Sequence, residues 1–552
     1  MTRAGHLFAI LSLASAGPLM AQAGPAPSAQ VESREESDGE RDQRRTRIDP
    51  YIEASQIFTQ QFEPVDDFVT YTQIAAGVDA SINGRRSGAT VAVRYERNFA
   101  WEDNANSNDR ISGIARGYYE IVPRKLQIEA GALASRSNYD GYGNSIFVPV
   151  LGDDDRTTTT YALYAGPRYT DRIGDVQVDA NYQIGYTRVE EPDSRFVDDR
   201  IYDLFDESIS HSANVRAATS PGDPLPVGLG VGAGFYQEDI ETLDQRVRDF
   251  HVRGDVTYPI SRTLALVGGV GYEDVEVSSR DAVRDAEGNP VIDENGRYLT
   301  DPQSPRLIAY EADGLIWDVG VIWRPSSRTE LQASFGRRYA SDTFRGNFSW
   351  QPSQRSNVNV SVYDQLQGFG GRLTNSLSLL PADFNVIRDP ITGDITGCTS
   401  LIDGSDCLGG VLGSARSSIF RARGISASYF REIGRTRVGI GGGYDNRKFI
   451  AAPGTILEAS DGLTDENYYL FLSGETPFYR GMLGTNAYAS WFKNGSSNLG
   501  NSFSLGSSVS YEQLIYRNLS ARAALSAYMI DNEISNADLR AISALIGLRY
   551  DF

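Results

Sequence analysis

Read with a period of two, the stretch 539–552 puts Ile542, Ala544, Ile546, Leu548, Tyr550 and Phe552 on one face and Ser543, Gly547, Arg549 and Asp551 on the other. That is the pattern of a half-buried strand, and it ends on an aromatic. The alternation recurs from Asp49 onward in segments of about ten residues, the length of a tilted membrane strand. One apolar face runs through Ile74, Ala76, Val78 and Ala80, the next through Val91, Val93, Tyr95, Phe99 and Trp101, and another through Leu126, Ile128, Ala130 and Ala132. Further on come Val176, Val178, Ala180, Tyr182, Ile184 and Tyr186, then Leu315, Trp317, Val319, Val321 and Trp323, then Leu483, Ala487, Ala489 and Trp491. Aromatics gather at segment ends, as they do at the two interfaces of a membrane.

Register follows from energy. In 329–339 the apolar set is Leu331, Ala333 and Phe335, and the intervening set is Glu330, Gln332, Ser334 and Arg338. A slip of one residue turns Glu330 and Arg338 to lipid, at roughly 2–4 kcal/mol for an arginine at the midplane. Tight Pro, Ser, Gly and Arg turns at 123–124, 171–175, 259–262, 325–328, 352–355, 431–435 and 514–518 are expected to alternate strictly with long loops near 138–156, 190–207, 277–306, 365–415 and 451–464. Short turns on the periplasmic side and long loops outside make the outer-membrane pattern. The expected fold is all-β: a transmembrane antiparallel up-and-down β-barrel over 49–552, with about 22 strands (20–24) and both termini in the periplasm.

Composition adds boundaries. Beyond the first thirty residues no apolar run is long enough for a membrane helix, which a barrel does not need. Arg3, the apolar stretch 7–20 and the small-residue site Ala21-Gln22-Ala23 predict a signal peptide over 1–23. Residues 24–48 are rich in Pro, Ser, Glu and Arg and predict a disordered periplasmic tail, far too short for a folded plug domain ahead of the first strand. Cys398 and Cys407, close together in an exported region, predict a disulfide that staples one loop.

The face opposite the lipid carries the candidate pore-lining residues Arg94, Arg116, Arg168, Asp179, Arg216, His251, Arg253, Asp255, Arg338, Arg437, Arg447 and Arg522. Interleaved arginines and carboxylates either line a polar path or pair across neighbouring strands and stiffen the wall. Two strands turn glycine rows to the lumen, Gly228 to Gly234 and Gly439 to Gly443 at alternate positions, which signals bulky neighbours, sharp curvature or free space. Net charge is -20, with much of the acid in loops, as solvated loops or as a mouth that binds divalent cations beside lipopolysaccharide. The Asp spacing at 285–296 and the Asp389-Pro390 and Thr392-Gly393 pair read as hairpin turns rather than calcium loops, because the terminal Glu of a calcium signature is absent. His211 falls on the lipid side and His251 lies between Asp249 and Arg253, with no nucleophile or metal motif beside it, so no enzyme, metal or cofactor is expected, nor nucleic acid.

Two resemblances extend this reading. Residues 545–552, with Gly547, Tyr550 and Phe552, look like the closing-strand signal read by the barrel-assembly machinery, although Leu545 stands where that signal has a polar residue. The unit Trp323-Arg324-Pro325-Ser326-Ser327-Arg328-Thr329-Glu330-Leu331, echoed from Trp350 and from Tyr258, resembles a family of outer-membrane β-barrel porins of Gram-negative bacteria often associated with exopolysaccharide export. That resemblance implies an outer-membrane conduit for secreted polysaccharide, set in lipid and lipopolysaccharide and served by a periplasmic polysaccharide-export protein. A general or nutrient-uptake porin and a surface-structural barrel are the alternatives.

Overall fold

The computed structural model describes residues 45–552 apart from 64, 102–108, 140–144, 147–156, 191–204, 223, 293–296, 400–410, 413–415, 497–499 and 534–537. The expected signal peptide and Cys407, and with Cys407 the expected disulfide, lie outside the described residues.

Twenty-two strands run antiparallel, each paired with its neighbour in sequence, and the last, Leu539–Asp551, pairs with the first, Arg45–Glu63, through Tyr51↔Asp551, Glu53↔Arg549 and onward. The sheet therefore closes and leaves no edge. The first strand begins ahead of Asp49, because Thr46, Arg47 and Ile48 pair with Ile82, Ser81 and Ala80. Side chains alternate as the pattern predicts. Ile74, Val319, Ile546 and Leu548 are exposed on the outer face, while Glu53, Arg94, Ser334 and Ser543 are buried on the inner one.

All the long connections share one rim, but their alternation with short turns is not strict. On that rim 241–244 and 339–340 are tight. Tyr339 and Ala340 take left-handed backbone without Gly or Asn, at φ 55° and 51°. What holds them is tertiary: the Tyr339 amide donates to Glu273 at 2.5 Å and its hydroxyl to Asp249 at 3.0 Å. On the same rim, 280–306 folds over the wall through the bridges Ala282↔Thr300, Arg284↔Pro290 and Ile292↔Tyr298. Asp285 accepts the amides of Glu287 and Asn289 at 3.0 and 2.7 Å, a hairpin turn as expected.

The largest departure is the connection 368–419. Instead of standing outside, its described residues turn into the barrel as an α-helix, Phe369–Leu379, and a small hairpin of Asn385–Arg388 with Ile395–Thr399. Phe369, Leu373 and Leu377 are fully buried against wall residues such as Ile114, Val189, Ile240 and Phe420, and Phe205 meets Phe369 edge-on at 5.1 Å. The main apolar core of the protein therefore lies inside the barrel, around its own inserted segment.

Candidate functional site: the occupied lumen

Ten of the twelve candidate lining residues have apolar or glycine outward neighbours or the end of such a face beside them, and that alternation turns them inward. Arg338 and Arg447 lie nearer the strand ends, beside Arg337 and beside Asn446 and Lys448, and follow the same parity. Each has a partner there. Arg94 contacts Glu53 and donates to Glu96 at 2.9 Å. Arg522 reaches the same Glu53 at 2.5 Å, with Arg549 at 3.3 Å, so one carboxylate gathers three guanidinium groups across the seam where the barrel closes. Arg116 and Arg168 share Glu129 at 3.1 and 3.0 Å. Arg216 and Asp255 form a two-point pair at 2.6 and 2.7 Å, and Arg253 joins Asp255 to Asp318 at 2.8 and 2.5 Å. Arg338 bridges Asp249 and Glu273 at 2.7 and 2.9 Å, and His251 sits 3.3 Å from Asp249. Arg447 meets Asp445 at 2.8 Å, Arg437 meets Glu475 at 3.0 Å, and Asp179 accepts from Thr170 and Gln177 at 2.9 Å each. Removing one member of a buried pair of this kind costs about 3–5 kcal/mol, because the other charge is left uncompensated.

The glycine rows resolve in favour of bulky neighbours. A Cβ on Gly230 would stand 2.6 Å from the Arg216 guanidinium and 2.8 Å from Asp255, and one on Gly441 would stand 2.3 Å from the Phe471 ring.

The inserted segment is bonded to the wall on several sides. Glu238, fully buried, accepts the amides of Gly368 and Gly371 at 2.7 and 2.8 Å, so a wall carboxylate caps the N-terminus of the inner helix. Ser208 and Tyr236 donate to the same carboxylate at 3.1 and 2.6 Å. Arg372 of the helix pairs with Asp445 through two contacts of 2.8 Å, and Tyr363 adds a third at 2.7 Å. At the tip of the inner hairpin, Arg388 donates to the Ala92 carbonyl at 2.9 Å and to Ser112 at 2.7 Å. Across the lumen, Tyr528 donates to Asp389 at 2.5 Å, and Ile391 is buried with Ile57, Val69, Tyr71 and Leu545. The expected Asp389 to Gly393 turn is present, closed by the Gly393 amide on the Asp389 carbonyl at 2.9 Å, but its tip points inward.

Sequence reading missed Glu238, Arg372 and Arg388. The available signal was Gly368, Gly370 and Gly371 around Phe369, followed by Leu373, Leu377 and Leu380 at helical spacing. Glycine is required there, since a Cβ on Gly371 would lie 1.8 Å from the Tyr236 hydroxyl and one on Gly370 2.1 Å from Ser208. Among the described residues no group of His, Cys, Asp and Glu is arranged to hold a metal.

A closed barrel of this size with an apolar outer band defines a class: it is an outer-membrane β-barrel of the Gram-negative type. No protein-family model matches the chain, and no curated protein does, so neither comparison supports the resemblance to exopolysaccharide-associated porins. Solved structures with similarity include the FrpB iron transporter from Neisseria meningitidis (F5-1 variant), at 10% identity over 91% of this chain and 82% of that one, with a TM-score of 0.43. The ferric-catecholate import receptor Fiu from E. coli K12 gives 11%, 91%, 82% and 0.42, and the siderophore receptor PiuA from Acinetobacter baumannii gives 10%, 91%, 82% and 0.39. Likeness at this level assigns neither substrate nor site to this chain.

Proposed function

We propose that this protein is a gated outer-membrane passage for the uptake of small solutes, with 368–419 as the gate and the paired arginine and carboxylate wall as the path it covers. The observation that carries this reading is the bonding of the inserted segment to opposite sides of the lumen, at Glu238, Asp445, Ala92 and Tyr528. A secreted polysaccharide sliding through needs a continuous bore along its whole length, and the inserted segment occupies that bore. A small solute needs only a local, transient displacement of the segment, so nutrient uptake fits better than polymer export. In this reading the rim with the short turns and both chain ends faces the periplasm, and the long-loop rim receives the solute from outside.

The test is single-channel conductance in planar bilayers, with heat-modifiable migration confirming that each barrel has formed. Native protein should show brief, small openings, and replacement of 368–419 by a short Gly-Ser turn should give large, stable steps. A double variant, Arg388→Ala with Tyr528→Phe, frees only the tip and should raise the opening frequency several-fold. Equal conductance in all three proteins, or a permanently open native pore, would sink the proposal.

A further inference from the structure

The rim opposite the long loops has a composition that the passage does not require. Nine of its ten connections have two to four residues, the tenth being 220–227, and eight of the ten contain an arginine, including Arg262, Arg328, Arg355, Arg435, Arg480 and Arg517. All six of these side chains are exposed, and none takes part in an ion pair among the described residues. Of the carboxylates near the same rim, Glu330 pairs with Arg324 at 2.6 Å, Asp171 with Lys125 at 2.9 Å and Asp551 with Arg549 at 2.8 Å, while Asp175 stands exposed in the turn 174–175, which carries no arginine. The free guanidinium groups thus form a collar of positive charge on a chain whose net charge is -20. General attraction of the whole protein for anions cannot explain a binding role here; only local placement can.

Directly beside the collar, on the lipid-facing side, lie exposed aromatics. Trp323, Trp350, Tyr479 and Tyr516 are 38%, 44%, 83% and 64% exposed. The Arg480 guanidinium lies 5.6 Å over the Tyr479 ring, and that of Arg517 lies 5.4 Å over Tyr516. An aromatic ring sits at headgroup depth in a bilayer. An arginine held one residue beyond it, at the end of a hairpin, is at the level of the phosphates and offers the planar donor pair that fits them.

We infer that this rim is a binding collar for anionic phospholipid headgroups, which anchors the barrel in the leaflet that its short turns face. Trp323 and Trp350 are natural reporters, because each lies within a few residues of a collar arginine, Arg328 and Arg355. The experiment uses full-length protein in phosphatidylcholine vesicles containing a minor fraction of brominated phosphatidylglycerol, with brominated phosphatidylcholine at the same fraction as control. Tryptophan quenching should be at least two-fold stronger with the anionic lipid, should lose that excess in high salt, and should fall to the control level in Arg262→Gln/Arg328→Gln/Arg355→Gln. That triple variant changes only exposed turn residues, and heat-modifiable migration checks that it folds. Equal quenching by the two lipids would overturn the inference and leave the collar to an acidic periplasmic partner. Selective quenching that survives the triple substitution would overturn it equally, since the arginines would not be its cause.

Discussion

Glu238 shows how much one side chain can decide. It lies on the wall, yet it satisfies two of the free amides at the start of the inner helix. Glu238→Ala leaves those amides buried and unpaired, at about 1–3 kcal/mol each. Amide exchange across 369–379 in the reconstituted barrel should then accelerate roughly 30-fold for every 2 kcal/mol lost. Unchanged exchange would mean that the apolar contacts of Phe369, Leu373 and Leu377 hold the helix unaided. Gly547 acts at the seam. A Cβ there would lie 2.1 Å from the Ser55 hydroxyl and 2.9 Å from the Ala54 carbonyl, so only glycine lets the first and last strands approach. Gly547→Val should reduce the yield of closed, heat-modifiable barrel several-fold, whereas Ile546→Val, one residue away on the lipid face, should not. Tyr550 and Phe552 meet edge-on at 5.1 Å, and the Phe552 amide donates to the Pro50 carbonyl at 3.0 Å, so the three residues of the expected assembly signal also complete the closure.

Among the elements, the cap of 280–306 on the long-loop rim hangs on Asp244, which Arg280 and Arg306 grip at 2.8 and 2.5 Å. Burial alone would raise this carboxyl, but the hydrogen bonds from the two arginines outweigh it and hold it below the ordinary aspartate range. A lowered value means that the clasp contributes its full stability above the unfolded-state pKa of about 3.9 and loses it as pH falls through the lower folded value. A spin label at Asn289→Cys should therefore stay restrained from neutral pH down to about 4, and become mobile only below that. In Asp244→Asn the label should be mobile at every pH. A label equally restrained in both proteins would show that the bridges of the cap suffice without the clasp.

At the scale of the molecule, the wall and its contents obey different rules. The wall is repetitive: outward residues face lipid, inward residues pair, and an error of face is costly. Val319, 48% exposed in the middle of Leu307–Ser326, is a direct check. Val319→Arg should destabilise the barrel by roughly 2–4 kcal/mol in urea unfolding from vesicles, and a change under 0.5 kcal/mol would place this face away from lipid. The contents are not repetitive. The described part of 368–419 has a helix and a hairpin, packs its own apolar side chains, and meets strands far apart in sequence.

That difference explains what was legible in the chain. The barrel class and the inward direction of all twelve candidate residues follow from a period of two, because a strand between lipid and lumen has one solution for which side chains face out. The count of connections bounded the strand number at 20–24, and the closed sheet fixed it at 22. The sequence could therefore determine the barrel by itself. It left open whether Arg94, Arg216 or Arg338 were free or paired, since pairing depends on which strand lies alongside and in what register. Only the closed sheet, which sets Glu53 beside Arg94, Arg522 and Arg549, decided that. The direction of 368–419 was likewise a tertiary decision. A loop carrying Gly, Leu and Asp-Pro can stand in solvent, but Glu238, Asp445 and Tyr528 exist as a matched set of partners only inside the finished barrel.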